Sequence, residues 1–304
     1  MKVTKSQYFG IQRKMVASIT SESWKNVPHA SFIYEPRVDK IFAEYKKLNE
    51  NRTEEDKITF NTVMLRVIVE GIKAAPDMNA HIKYDDRRAK GRVDVYENIN
   101  ISMTTILPNG EMMTTNLRDF HEKTITQMSD YIKDLRERAA KSNLTEALYR
   151  VSFNKTLKTI KEGKLLQAGL RILTAKTGKN RVRHLKGKEK REYYKIPETE
   201  RLGDKDIEQG TITVSNVGSL YLKQKGMVSL LEIIPPQVSV ICLGAVQEKP
   251  VVEVVDGNKQ IGIGKILPIC IAFDHRALDM GEVIPFIKKL DEIFENPEVI
   301  DEWL

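Results

Sequence analysis

The sequence predicts an α/β fold in which a mixed β-sheet is flanked by helices, and three observations carry that expectation. Apolar residues recur at helical spacing in several segments, β-rich runs mark strands between and after them, and the two kinds of element intermix without a strand-helix-strand rhythm. A doubly wound dinucleotide fold would show that rhythm. At 304 residues, with 41% hydrophobic and 30% charged side chains, the chain can bury a sizeable core and sits away from disordered or collagen-like compositions. No run approaches about 18 uninterrupted apolar residues, and MKVTKSQYFG lacks the apolar stretch of a signal peptide, so no transmembrane segment and a cytoplasmic setting are expected.

In chain order, Ala30 to Tyr34 reads as the first strand. From Val38, the residues Ile41, Phe42, Tyr45 and Leu48 recur at three and four, the mark of one buried helix face. Between Ile58 and Ala75 the stripe Phe60, Val63, Val67, Gly71 is flanked by Met64, Ile68 and Ile72, so this helix is apolar over a broad arc and central; Pro76 ends it. Asn98 to Leu107 reads as a strand that turns at Pro108-Asn109-Gly110 into Glu111 to Leu117. Ile125, Met128, Ile132, Leu135 and Ala139 form the next helix face, with Lys133, Asp134, Arg136, Glu137 and Arg138 outside it. Strands follow at Thr211 to Ser215, Val238 to Leu243 and Val251 to Val255, and Asp256-Gly257-Asn258 is a hairpin signal leading into one apolar run from Ile261 to Phe273. Val283, Phe286, Ile287, Leu290 and Phe294 mark a last amphipathic helix before Asn296-Pro297.

Charge is distributed unevenly. Between Thr145 and Lys205 stand 17 Lys or Arg against 7 Asp or Glu, a net +10 that leaves −3 for the rest of the +7 chain. Within this segment Leu165, Leu166, Leu170 and Leu173 keep helical spacing, followed by a stretch from Lys176 to Arg191 dense in Lys and Arg. Such a surface suits an acidic carrier domain, coenzyme phosphates, an anionic membrane or nucleic acid. Basic residues beside Tyr193 and Tyr194 keep nucleic acid as a reading from a different class, but no reader motif is present and it is not the expected partner.

Few residues are placed for chemistry. Gly262-Ile263-Gly264 lacks the third glycine of a dinucleotide loop, and no GxxxxGK[ST] occurs. The histidines His29, His81, His121, His184 and His275 form no HExxH or close pair, so no metal is expected. Cys242 and Cys270 lie far apart in apolar runs and read as buried thiols. What remains is Phe273-Asp274-His275-Arg276-Ala277-Leu278-Asp279-Met280-Gly281, a polar cluster between an apolar strand and the last helix. Imidazole is the neutral base that titrates near physiological pH, so His275 is a candidate base; Asp279 followed by Glu282 is equally a capping box.

Thr211-Ile-Thr-Val-Ser215-Asn216-Val-Gly218, Ile234-Pro235-Pro236-Gln237-Val238 running to Leu243-Gly244-Ala245, and Asp274-His275-Arg276-Ala-Leu-Asp279 resemble the catalytic domain of the 2-oxo acid dehydrogenase dihydrolipoamide acyltransferases. Arg13-Lys14 with Ser23 and Val27-Pro28-His29, then Ala75-Pro76-Asp77-Met78-Asn79, and Pro108-Asn109-Gly110 with Arg118-Asp119 are similar to the same family's N-terminal half. The resemblance extends to the chloramphenicol acetyltransferase fold, and it implies one catalytic domain over 1–304 with a basic insertion at 145–205. Where the family reads Asp-His-Arg-x-x-Asp-Gly, Met280 holds the glycine position and Gly281 follows.

The resemblance implies a coenzyme A-dependent acyltransferase acting on a thiol such as dihydrolipoamide. His275 would be the general base, Ser215 the donor to the oxyanion, and Asp279 a residue fixing local geometry with Arg13 as its partner. Asn216 would add a polar contact, although Arg13 also reads as a solvated charge and Asn216 as a turn residue. Strand alternation puts Cys270 on the face opposite His275, against a thiol-imidazole pair. A homotrimer or larger assembly of trimers, with active sites between subunits, is implied too, and the lipoyl group is expected only in trans, from a carrier domain on another chain. A catalytically degenerate scaffold is the remaining alternative, and the retention of His275, Ser215 and Asp279 together argues against it.

Overall fold

The structure is a computed structural model of the chain, and it describes residues 1–106, 112–161, 169 and 184–304. The turn at Pro108-Asn109-Gly110, the leucines Leu165, Leu166, Leu170 and Leu173, and the basic stretch from Lys176 as far as Arg183 lie outside the described residues. Two compact units emerge. The larger comprises 23–104, 117–132 and 210–304; the smaller comprises 1–22, 105–116 and 133–209.

Most strands of a six-stranded mixed sheet belong to the larger unit, while the strand Met112–Leu117 falls mainly in the smaller. Its strands are β1 (His29–Tyr34), β4 (Ile101–Ile106), β5 (Met112–Leu117), β6 (Ile212–Asn216), β7 (Ser239–Leu243) and β10 (Ile269–Asp274), in the order β1-β10-β7-β6-β4-β5. β4, β6 and β7 run parallel, whereas β10 is antiparallel to both β7 and β1. Every residue of β7 and of β10 is buried, which is why both read as continuous apolar runs rather than alternating ones.

Helices follow the periodicities expected of them. α2 (Asp39–Leu48) precedes α3 (Phe60–Ala74), whose first turn is capped by Thr59 accepting from the Thr62 N–H. The broad apolar arc of α3 is buried from Thr62 to Leu65, from Val67 to Val69, and at Gly71 and Ile72. The last long helix, α7 (Met280–Glu295), packs on it, and Gly71 marks the closest approach. A Cβ at that position would stand 2.5 Å from Leu290 Cδ1 and 2.6 Å from Phe286 Cδ2.

The Asp256-Gly257 turn forms as expected. Both residues adopt positive φ, 53° and 78°, joining β8 (Gln247–Val255) to β9 (Asn258–Ile266) through a two-residue loop. Two readings need correction. The run from Ile261 to Phe273 is not one strand: it breaks at Leu267-Pro268, because proline cannot donate to a ladder, and β9 and β10 belong to different sheets. A second hairpin, β2 (Ala80–Asp85) with β3 (Lys90–Val95), went unread because charged residues crowd it and no apolar alternation announces it.

The smaller unit gathers much of α1 (Ile11–Asn26), the outer part of α4 (Ile125–Lys141), α5 (Leu144–Lys161) and the short α6 (Gly187–Tyr193). Many of its cations are already paired. Arg138 grips Asp206 through two nitrogens, at 2.6 and 3.3 Å, and Arg150 meets Asp204 at 2.6 Å. Glu146, only 1% exposed, accepts from the Leu185 N–H and the Tyr194 hydroxyl and faces Lys190, tying both ends of the basic segment together. Among the described residues no helix is long and apolar enough to cross a membrane.

Candidate active site

The polar cluster at the end of β10 is built on Asp274. This carboxylate is fully buried, at 0% exposure, and accepts from the Arg276 main-chain N–H at 3.0 Å, from its Nε at 2.9 Å and from its Nη2 at 2.6 Å. Its carbonyl takes the N–H groups of Ala277 and Leu278, which closes the turn. The Arg276 guanidinium also lies over the Tyr84 ring, and its pKa is raised chiefly by the bond to Asp274. Breaking a buried pair of this kind costs about 3–5 kcal/mol, discounted here because Arg276 is partly solvated.

His275 is therefore carried on a rigid turn. Its main-chain N–H donates to the Pro28 carbonyl at 3.0 Å, while that of Asp274 donates to Val238 at 2.8 Å, so the turn is pinned by the starts of both neighbouring strands. The imidazole itself projects outward, 55% exposed, with Nδ1 3.0 Å from Asp279 Oδ1. A carboxylate there keeps the proton on Nδ1 and leaves the Nε2 lone pair free for a substrate proton. Because Asp279 is 78% exposed, the pair is worth only about 0.2–1 kcal/mol. That suffices to select a tautomer and a ring orientation but not to hold the backbone, which Asp274 and Arg276 do. Asp279 is also the residue preceding α7, where its N–H donates to the Glu282 carboxylate at 2.8 Å, so one residue combines the cap and the contact to imidazole.

Met280 enters the first turn of α7 half-buried, and Gly281 beside it is exposed with open space where a Cβ would point. Neither residue strains the turn.

Ser215 ends the buried part of β6 and is itself half-buried. Its partner across the ladder is Cys242 on β7. The next turn is rigid. Asn216 donates to Asn61 Oδ1 at 2.6 Å, and its own Oδ1 accepts from the Ser219 N–H at 2.9 Å, which ties the turn to α3. Gly218 is required, since a Cβ there would stand 2.2 Å from the Gly244 carbonyl oxygen. Arg13 lies exposed on α1 and forms no ion pair among the described residues.

The register separates the two principal residues. Ser215 stands opposite Cys242 on β7, and Cys242 stands opposite Cys270 on β10. His275 follows five residues later on a strand antiparallel to β7. At about 3.3 Å per residue it lies about 16 Å from Ser215 along the strand axis and two strands to the side, at the other end of the sheet. Within one chain the structure does not bring Ser215 and His275 together.

The Asp274–Arg276 clamp and the contact from Asn61 were missed as functional supports in the sequence. The alternation Asp-x-Arg at a strand end is the one signal that could have found the clamp. Among the described residues no group of three or more His, Cys, Asp or Glu side chains could hold a metal.

Comparison with known proteins bears on the fold and the family. The chain is 22% identical over 286 residues to the dihydrolipoyllysine-residue acetyltransferase component of the pyruvate dehydrogenase complex of Zymomonas mobilis, covering 94% of this chain and 48% of that relative. It thus spans about half the length of that curated relative. Among solved structures, the cubic core of the pyruvate dehydrogenase multienzyme complex superposes with a TM-score of 0.66 at 15% identity, covering 98% and 94% of the two chains. A probable dihydrolipoamide acetyltransferase from Listeria monocytogenes gives 0.62 at 18%, covering 96% and 94%. The mixed sheet flanked by helices is thus the fold of these cores. The model of the 2-oxoacid dehydrogenases acyltransferase (catalytic domain) family matches residues 2–150 and 187–301, and leaves 151–186 outside it. With most of its length matched, the chain belongs to the 2-oxoacid dehydrogenase acyltransferase family, by its catalytic domain.

Proposed function

We propose that this chain transfers an acyl group between coenzyme A and a second thiol such as dihydrolipoamide, with His275 as general base, at sites formed between neighbouring copies in a homotrimer. The observation that carries the reading is the separation of Ser215 from His275 within one chain, which a site shared between two copies resolves. A second observation supports assembly. On one face of the β8–β9 arm Val252 is 69% exposed, Val254 67%, Ile261 80% and Ile263 75%, a contiguous apolar face of the kind that marks interaction surfaces. The names of the relatives agree: one is a cubic core, and the Azotobacter vinelandii dihydrolipoamide acetyltransferase is described by the role of a serine, a histidine and an asparagine four positions after the histidine. His275 and Asp279 have that spacing.

In this mechanism the thiol S–H gives its proton to His275 Nε2, and the thiolate attacks the thioester carbonyl. The oxyanion so formed accepts from the Ser215 hydroxyl of the adjoining copy. Collapse breaks the bond to the other thiol, which leaves as thiolate and recovers the proton from the imidazolium. A base so placed contributes about 10²–10⁴ in rate and one oxyanion donor about 10²–10³. The acceptor thiol is expected on a lipoyl carrier chain in trans, to which the basic residues flanking 151–186 offer complementary charge. Acetyl and succinyl relatives both occur, so the acyl group is set by pocket shape, where a methylene changes discrimination by about 1–3 kcal/mol.

The test is a thiol-release assay with a panel of acyl-coenzyme A donors, offering free dihydrolipoamide and a separate lipoyl domain in turn. Activity with at least one pair is expected, and His275→Ala should lower kcat at least about 100-fold with KM nearly unchanged. A correctly folded His275→Ala protein with wild-type kcat would remove His275 from the mechanism.

A further inference from the structure

The turn that carries His275 hangs from two flanks, the Pro28 carbonyl just ahead of β1 and the Val238 carbonyl just ahead of β7, and those strands lie on opposite sides of β10. Two side chains tie the flanks to each other. Both grip one residue, Ile233, which precedes Val238 by five positions. The Ile233 N–H donates to His29 Nε2 at 3.0 Å, and its carbonyl accepts from the Ser23 hydroxyl at 2.7 Å. His29 Nδ1 lies 2.8 Å from the Val27 carbonyl. A carbonyl only accepts and a main-chain N–H only donates, so the ring hydrogen is on Nδ1 and the lone pair on Nε2, and one tautomer alone satisfies both contacts. Ser23, Val27 and Ile233 are buried, and Val27 and Ile233 pack with Val240 and Ala272 against Leu230 and Leu231.

We propose that His29 is a positioning residue for His275: by fastening Ile233 to the chain on either side of Pro28, it sets the spacing of the two carbonyls from which the catalytic turn hangs. The inference rests on the reading of His275 as the general base. Both nitrogens of the His29 ring are engaged, so it acts through the main chain and not on substrate. Position passes along both flanks. On one, Pro28 stands between Val27, which accepts from the ring, and His29, which faces Asp274 across the β1–β10 ladder; a ring that lets go loosens the peptide whose carbonyl holds the His275 N–H. On the other, Pro235 and Pro236 have fixed φ, and the Gln237 N–H closes a turn on the Ile234 carbonyl at 3.0 Å, so the path from Ile233 to Val238 has little slack. The division of labour is then plain. Asp274 and Arg276 keep the turn's internal shape, whereas the staple at Ile233 sets where the turn sits. A base must stand within hydrogen-bond reach of the thiol proton, and a misplacement of about 1 Å can cost about 100-fold in rate.

The experiment compares His29→Leu with His29→Gln in the full chain, by thiol release and by amide hydrogen exchange. Glutamine can set an acceptor before the Ile233 N–H, whereas leucine fills the space without one. Leucine should lower kcat at least about tenfold with KM within about twofold, and glutamine should restore kcat to within about threefold of wild type. In a His275→Ala background leucine should have no further effect, because the staple acts through that ring. Independently of activity, exchange at the amides of Asp274 and His275 should quicken at least about tenfold with leucine and stay near wild type with glutamine. If leucine prevents folding, Ser23→Ala, which frees only the Ile233 carbonyl, takes its place with an expected loss of about three- to tenfold in kcat. Wild-type kcat in the folded leucine variant or in its substitute, equal loss with leucine and glutamine, a loss that persists in His275→Ala, or unaltered exchange at the turn each overturns the proposal. Failure of the underlying reading looks different: His275→Ala alone would then keep wild-type kcat, while amide exchange still reports whether His29 holds the turn.

Discussion

Two defective chains should make one working site. Let His275→Ala and Ser215→Ala chains be co-expressed with different tags, so that mixed trimers form alongside the pure ones and their presence can be verified. Each interface takes a histidine from one chain and a serine from the next around a closed ring. Of the four ordered pairings, only an intact histidine from the Ser215→Ala chain facing an intact serine from the His275→Ala chain restores both groups. With equal expression and random assembly, about a quarter of all sites are complete. Each parent variant alone keeps at most about 1% of wild-type kcat, from the worth of a general base or an oxyanion donor. Co-expressed protein should therefore show about 25% of wild-type kcat per chain, a gain of about 25-fold over either parent, readable by thiol release. The separation of about 16 Å along the sheet is what makes the expectation sharp, because no side-chain rotation spans it. A site within one chain predicts the mean of two impaired enzymes, about 1% or less. Verified mixed trimers with no gain would refute the shared site, whatever His275 proves to do.

Further outcomes follow from particular contacts. Gly71→Ala gains about 1 kcal/mol of helix propensity but forces a methyl to within 2.5 Å of Leu290, and overpacking of about 1–3 kcal/mol wins; urea unfolding should show net destabilisation, and a stabilised variant would contradict the packing of α3 on α7. His81, with Nε2 3.3 Å from the Gly210 carbonyl and Nδ1 3.1 Å from the Tyr96 hydroxyl, is held by burial below its ordinary pKa of about 6.5. The unfolded chain then binds the proton first, so the stability that His81 contributes is present above pH about 6.5 and lost as pH falls below it; His81→Gln should flatten that slope in unfolding midpoints, and parallel slopes would exclude the effect. Replacing residues 155–183 by a short glycine-serine linker should leave the fold intact by circular dichroism, because Arg138–Asp206, Arg150–Asp204 and the contacts of Glu146 all survive. It should also weaken binding of a lipoyl domain more at low salt than at high salt.

What could be read from the sequence, and what could not, divides along a physical line. α3 was legible because its apolar arc is so broad that only a buried helix accommodates it, and the Asp256-Gly257 turn because few residues adopt two consecutive positive φ values. Pro268 shows the limit of local pattern. The apolar run continues through it, so the break between β9 and β10 appears only once the ladder demands an N–H that proline lacks. The site divides in the same way. His275, Ser215 and Asp279 were legible as residue types in a motif, but the sequence carries no register, and it is register that sets Ser215 and His275 at opposite ends of one sheet. The contact of Asn216 to Asn61 is hidden in the same way, because Asn61 lies on α3 and no spacing rule connects the two residues. The exposed face of the β8–β9 arm completes the reasoning. Val252 and Val254 on β8 and Ile261 and Ile263 on β9 share one exposed face of the arm. The fold of one chain leaves that face in water. On the reading proposed above, the docking of a second copy would both cover that face and bring Ser215 of one chain to His275 of another.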